Sequence, residues 1–374
     1  MQNECLKKAI FLDAEYSPVP GIINPQTHQI YRNPKLSIKS NQLGSIPPGC
    51  LRLQMVYVGI CGTDIHVSTA DPMTQYVQSS APAYLHEGGR ILGHEGVGKI
   101  LGVASDVMNF IEGQLVAFES IWSCGHCESC RKGRFNQCCN AKLLGMEIDG
   151  IFGDIVDLPA SLAFDVTEFQ NSSGGLIASA CLEPAGAAYL ACLNAKLQPG
   201  ERVVVLGGGP IGLLTAMLCK LAFGASKVCL VEPLDFRRQF ASEWADVCFT
   251  EDEFLCDSSE FDVLIDAAGA MDLVAAAIIK MSSGARVGLL ARNGRGLMLD
   301  KVDLLITRNI SIFGSRGHLG GLYEQLSRLY LSGQFPMHRI ITKVINGLDE
   351  LLEHIVDPQV VTQQNCKVIC RITE

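Results

Sequence analysis

Four cysteines, Cys124, Cys127, Cys130 and Cys138, fall within fifteen residues of one another. The spacing C-x2-C-x2-C-x7-C lets one short loop wrap a Zn2+ ion in four thiolates. A metal enclosed in this way has no open coordination position, so it would hold a lobe in shape and take no part in a reaction. Cys139 offers a shifted register and His126 a substitute ligand, each a poorer fit than the regular set. A second constellation is dispersed along the chain: GICGTDIH at 59–66, Gly93-His94-Glu95, and Glu183-Pro184. Each piece alone is uninformative. Together Cys61, His94 and Glu183 supply a thiolate, an imidazole and a carboxylate, three ligands that leave a fourth position open, as a catalytic zinc requires.

A third signal is Gly207-Gly208-Gly209-Pro210-Ile211-Gly212, a G-x-G-x-x-G between an apolar run, RVVVL at 202–206, and a segment with helical periodicity. Gly207 permits a tight turn, Gly209 lets the backbone approach a pyrophosphate, and Gly212 lets the helix pack closely on the strand. The helix N-terminus then faces the anion. Glu232 lies twenty residues beyond Gly212, where a carboxylate accepts from ribose hydroxyls and repels a 2′-phosphate, so NAD is expected rather than NADP. Arg237 and Arg238 weigh on the other side, since either could meet a 2′-phosphate, although Arg237 could equally bond a ribose 3′-hydroxyl.

The elements needed to place these residues are visible in the pattern. Up to residue 183 the chain is punctuated by Gly, Pro and short β-branched runs such as 51–58 and 114–118, a β-rich texture. From residue 202 onward strands alternate with helices: strands at 202–206, 227–231, 261–267 and 285–290, helices at 211–223, 236–244 and 271–281. Such alternation implies a parallel sheet and an α/β class. A further helix is expected at 322–332 and a last strand at 366–372.

Length and composition bound the rest. With 374 residues, 48% of them apolar and 18% charged, the chain is globular and long enough for two domains. A net charge of -9 gives no basic field for nucleic acid or an anionic bilayer. The opening MQNECLKKAI lacks the apolar core of a signal peptide, and no uncharged apolar run reaches membrane-spanning length, so a cytoplasmic protein is expected. Most of the remaining cysteines, of sixteen in all, read as small core hydrophobes.

In that order along the chain, GICGTDIH, GHE, the four-cysteine loop, Glu183-Pro184 and GGGPIG resemble the zinc-dependent medium-chain alcohol dehydrogenases. Glutamate in Glu183-Pro184, where simple alcohol dehydrogenases carry cysteine, is more like the polyol, sugar and threonine dehydrogenase branches. The resemblance implies a GroES-like zinc-binding catalytic domain over 1–183, a Rossmann NAD-binding domain over 184–316, and a C-terminal segment, 317–374, returning to the catalytic domain. It implies two Zn2+ per chain, one held by Cys61, His94 and Glu183 with Cys181 as a competing ligand, and NAD as hydride acceptor. Glu95 would be a nearby carboxylate able to exchange with water at the metal. Thr63 would contact the substrate oxygen, His66 would end a proton relay at solvent, and Asp64 would orient the turn. The implied reaction is oxidation of a polar secondary alcohol, such as a polyol, sugar or cyclitol, to a ketone by a homo-oligomer, dimer or tetramer. A threonine or amino-alcohol dehydrogenase is the alternative enzyme, and a non-catalytic nucleotide-binding relative would lack the ligands that are present here. The segment between His66 and His94 is longer than usual for the family, and it could form a pocket wall, a surface loop or an oligomer contact. Arg316 and His318 fall where relatives place a contacting residue, or in a simple junction turn.

Overall fold

The strand Cys50–Gly59 alternates buried and partly exposed residues along most of its length, as a strand with one face on a core does. It is the centre of a sheet with Glu95–Val103 along one side and, on the other, Ile155–Pro159 beside its first half and Lys367–Arg371 beside its last residues, all antiparallel to it. Leu115–Phe118 and Ala163–Asp165 extend one edge, and Ile341–Asn346 the other. A computed structural model describes residues 6–373 of this chain; Cys5 lies outside them.

The long 67–93 segment does not hang free. It ends by adding Arg90–Ile91 as a third strand to the hairpin of Leu6–Tyr16 and Tyr31–Gln42. Tyr76 donates its hydroxyl to the Ser17 carbonyl at 2.8 Å, and Tyr31 Oη lies 3.0 Å from His86 Nδ1. The N-terminal hairpin and the end of this segment therefore form one layer.

The chain divides into two units, Met1–Glu183 with Ile341–Glu374, and Pro184–Ile340. The second holds six parallel strands in the order Val247–Phe249, Lys227–Val231, Arg202–Leu206, Phe261–Asp266, Met281–Leu289 and Ser311–Gly314. Numbered along the chain this is 3-2-1-4-5-6, the doubly wound order that places a dinucleotide at the carboxyl ends of the strands where the order reverses. Val203, Val204, Val205 and Leu206 are fully buried because both faces of the sheet are covered. Burial of each side chain contributes roughly 1.5–3 kcal/mol. Sequence reading missed Val247–Phe249 and the helix Glu251–Cys256, both too short for periodicity to show.

The return to the first unit comes at Ile341, and not at 317 as the resemblance implied. The helix Leu322–Leu331 buries Tyr323, Leu326 and Tyr330, and the turn Met337–Ile340 packs on the helix Pro210–Leu221. Arg339 pairs with Glu243, and its guanidinium lies over Trp244. These contacts tie residues 317–340 to the second unit. One stretch, Leu176–Asn194, has the length and apolarity of a membrane span, but most of it is buried within the protein, as a core helix is.

Candidate active site

Cys124, Cys127, Cys130 and Cys138 converge so that all four sulfurs lie within 4.8 Å of one another. The Cys127–Cys130, Cys127–Cys138 and Cys124–Cys138 separations are 3.5, 3.8 and 3.5 Å. Tetrahedral zinc with Zn–S bonds near 2.3 Å needs sulfurs about 3.8 Å apart, so the donor set fits that ion. Backbone N–H groups of Cys130 and Cys139 point at the Cys127 sulfur and hold its thiol down at about 5. Cys139 is exposed outside the set, and His126 Nδ1 bonds the Cys124 carbonyl at 2.7 Å.

The dispersed residues meet through strand pairing. Cys61 follows the end of Cys50–Gly59, His94 precedes the start of Glu95–Val103, and Gly59 pairs with Glu95 across the two strands. Cys61, His94 and Glu95 then offer ligand atoms within 4.8 Å of one another. Glu183 was expected in that triple, and the structure instead brings in Glu95 and leaves Glu183 beside the cluster. Register is the reason: Glu95 starts the strand paired to Gly59, whereas Glu183 lies in the first turn of Leu182–Asn194 and accepts from Ser120 Oγ at 2.6 Å. Burial raises the Glu183 carboxyl and His94 pulls it back down, so the two are electrostatic neighbours. Cys181 stays out of the cluster, fully buried, its thiol pushed up to about 12 by desolvation.

Asp64 supports the turn from behind. It is fully buried, accepts the Cys61 N–H at 3.0 Å, and places Oδ1 3.5 Å from His94 Nδ1. Burial works against an imidazolium at His94, but Asp64 and Cys61 outweigh it and raise the ring well above its ordinary value. A carboxylate behind a histidine fixes the ring and leaves its other nitrogen for a metal. A thiolate, an imidazole and a carboxylate, with His94 and Glu95 buried and that support behind them, suit zinc. Thr63 Oγ1 lies 3.6 Å from the Cys61 sulfur. His66, three residues on in the same helix, Gly62–Ser68, shares its face. One side of His66 meets solvent while protein crowds the other, and desolvation lowers its imidazole below the ordinary value.

In the second unit Gly207 adopts φ +100°, and a Cβ at Gly212 would collide with the Gly207 carbonyl, so helix and strand require glycine at both positions. A Cβ at Gly209 would meet open space, which leaves the start of the Pro210–Leu221 helix clear for an anion; Ile211 follows in its first turn. Glu232 is buried and accepts the Gly208 N–H at 2.7 Å and the Leu234 N–H at 3.0 Å. Arg238 is committed to the carbonyls of Glu232 and Pro233, at 2.8 and 2.6 Å, whereas the Arg237 guanidinium lies over the Phe236 ring. Sequence reading missed Asp266, a fully buried residue that takes the N–H groups of Ala268, Gly269 and Ala270 at 3.2, 2.9 and 3.2 Å. It fixes the loop whose Ala268 abuts Gly207. His318 is buried against Tyr323 and Gly186, a packing position.

Residues 47–168 match the alcohol dehydrogenase GroES-like domain. An L-threonine 3-dehydrogenase of Pyrococcus abyssi is 30% identical over 317 residues, covering 82% of this chain and 87% of its own. The chain belongs to the zinc-dependent medium-chain alcohol dehydrogenases. Among these dehydrogenases, a scyllo-inosose 3-dehydrogenase of Thermotoga maritima is 29% identical and covers 93% of this chain and 95% of its own. A solved Thermotoga maritima chain, provisionally named an alcohol dehydrogenase, superposes with a TM-score of 0.86 at 27% identity, over 98% of this chain and 100% of its own. As a family member, the protein is a dehydrogenase with a GroES-like unit and a doubly wound unit.

Proposed function

We propose that this dehydrogenase oxidises a polar secondary alcohol, a polyol, sugar or cyclitol, to the ketone, with NAD as hydride acceptor and two Zn2+ per chain. The cluster of Cys61 with the buried His94 and Glu95, and with Glu183 beside it, is the observation that carries this reading. Cys61, His94 and a glutamate would hold the catalytic ion, and Cys124, Cys127, Cys130 and Cys138 the structural one. Bound zinc supplies Lewis acidity that lowers the pKa of a substrate hydroxyl. Cys61 and His94 are pre-oriented by Asp64, so little reorganisation is needed on binding. The Thr63 hydroxyl, next to the Cys61 sulfur, is placed to take the alcohol proton, and the exposed side of His66 to release it to solvent.

NAD supplies the hydride acceptor. Gly207, Gly209, Pro210, Ile211 and Gly212 would cradle its pyrophosphate, Glu232 would disfavour a 2′-phosphate, and Arg237 would lie toward the ribose. A cyclitol or polyol is favoured because the scyllo-inosose enzyme aligns over more of this chain than the Pyrococcus abyssi threonine enzyme does. Threonine is the second reading, on the strength of that 30% identical relative. A screen with NAD over polyols, cyclitols, aldoses, aminocyclitols and threonine, read as NADH absorbance, separates them. Turnover of threonine alone would overturn the polyol reading. A cytoplasmic homo-oligomer, dimer or tetramer, follows from the family resemblance and is read by light scattering.

A further inference from the structure

Lys367 is a lysine with no solvent exposure of its side chain, in the strand Lys367–Arg371 of the first unit. A buried ammonium is costly unless paired. Its Nζ donates to the Ile60 carbonyl at 2.9 Å, one residue before Cys61, and forms an ion pair with Glu95 Oε2. Three adjacent strands produce this meeting: Gly59 pairs with Glu95 on one side and with Ile369 on the other. The middle position has to be glycine. A Cβ there would lie 2.8 Å from Glu95 Oε2 and 3.0 and 3.1 Å from Lys367 Cε and Nζ, in the space the ion pair occupies.

Glu95 thus has two competing partners, a lysine that already neutralises it and a Cys61–His94 pair close enough to share a metal with it. We propose that Lys367 is a positioning residue for the metal centre: its ammonium restrains Glu95 and so keeps that carboxylate from closing the position a substrate must occupy beside Cys61 and His94. This inference rests on the reading that Cys61 and His94 hold a metal. It explains why a charged side chain stands in a strand that is otherwise apolar up to Arg371, and why the strand end at 59 carries no side chain.

The test uses the zinc-loaded protein and follows release of the more labile zinc to a chromophoric chelator, with kcat measured in parallel. Lys367→Met frees Glu95 to bind the ion, so labile zinc should leave about tenfold more slowly while kcat falls. Adding Glu95→Gln should restore wild-type release, and Lys367→Arg should keep it. A merely structural role predicts the opposite, a loosened site that loses zinc faster. Zinc release from Lys367→Met that is unchanged or faster overturns the proposal. If Lys367→Met does not fold, Gly59→Ala, which crowds the pair without removing either charge, should slow release in the same direction; unchanged or faster release from it also overturns the proposal. Wild-type protein that carries a single zinc would instead sink the metal-site reading on which the inference stands.

Discussion

The two candidate metal-ligand sets of this chain are built in opposite ways. The four cysteines of the lobe fall within one loop, and their sulfurs meet because the loop is short. The active-site donors lie on separate strand ends and are brought together only by the register of Cys50–Gly59 against Glu95–Val103. A one-residue slip of that register would turn Glu95 to the opposite face, whereas the lobe would keep its donors. A local set therefore declares its ligands through spacing alone. A dispersed set declares its residue types but leaves open which carboxylate is nearest.

Substitutions that strike one set and spare the other give the largest effects. Cys61→Ser should leave a folded protein whose kcat/KM falls by roughly a thousandfold, about 4 kcal/mol of lost transition-state stabilisation. Cys127→Ser should lower Tm by on the order of 10 °C, because a structural metal contributes folding free energy. Calorimetry and steady-state assays on the pair would break the comparison if the two losses were exchanged.

Next in size is the cofactor contrast. Glu232→Ala removes the carboxylate that holds the Gly208 amide and, in the proposed function, meets the ribose, so the ratio of kcat/KM for NAD over NADP should fall by roughly 10- to 100-fold. A wild-type preference for NADP would instead assign the ribose contact to the arginines.

His66→Ala should cost about tenfold near neutral pH and less at high pH, where hydroxide or buffer takes the proton, with partial rescue by imidazole. Because desolvation lowers its pKa from the ordinary 6.5, the ring stays neutral and able to accept a proton at pH 7. Wild-type oxidation should therefore weaken only as pH drops below the ordinary histidine value. A mutant pH profile parallel to that of the wild type would make His66 a packing residue.

The glycine turn, the acid at 232 and the lobe were legible because each is a local pattern with one physical reading. Helix and strand alternation exposed the doubly wound unit, except where elements such as Val247–Phe249 were too short for a pattern to repeat. Glu95 against Glu183 was not legible, since proximity there depends on pairing between distant strands. Lys367 carried one faint signal, a charge at the head of the apolar run VIC, and its partner stands 272 residues earlier in the chain. Asp266 had none, because its work is done on the backbone of its own loop.

The pairing of Lys367–Arg371 with Cys50–Gly59 also sets an order of events in synthesis. The sheet around the active site begins near the start of the chain and receives this interior strand only at its end, after all of Pro184–Ile340 has been made. The inserted unit has its six strands complete before then, and domains fold as units in the order they are made. During translation the glycine turn at 207–212 can therefore fold first, while the Cys61–His94 cluster waits for the strand Lys367–Arg371. A nascent chain stalled short of Lys367 should bind nucleotide before it can protect the Cys61 thiol from alkylation.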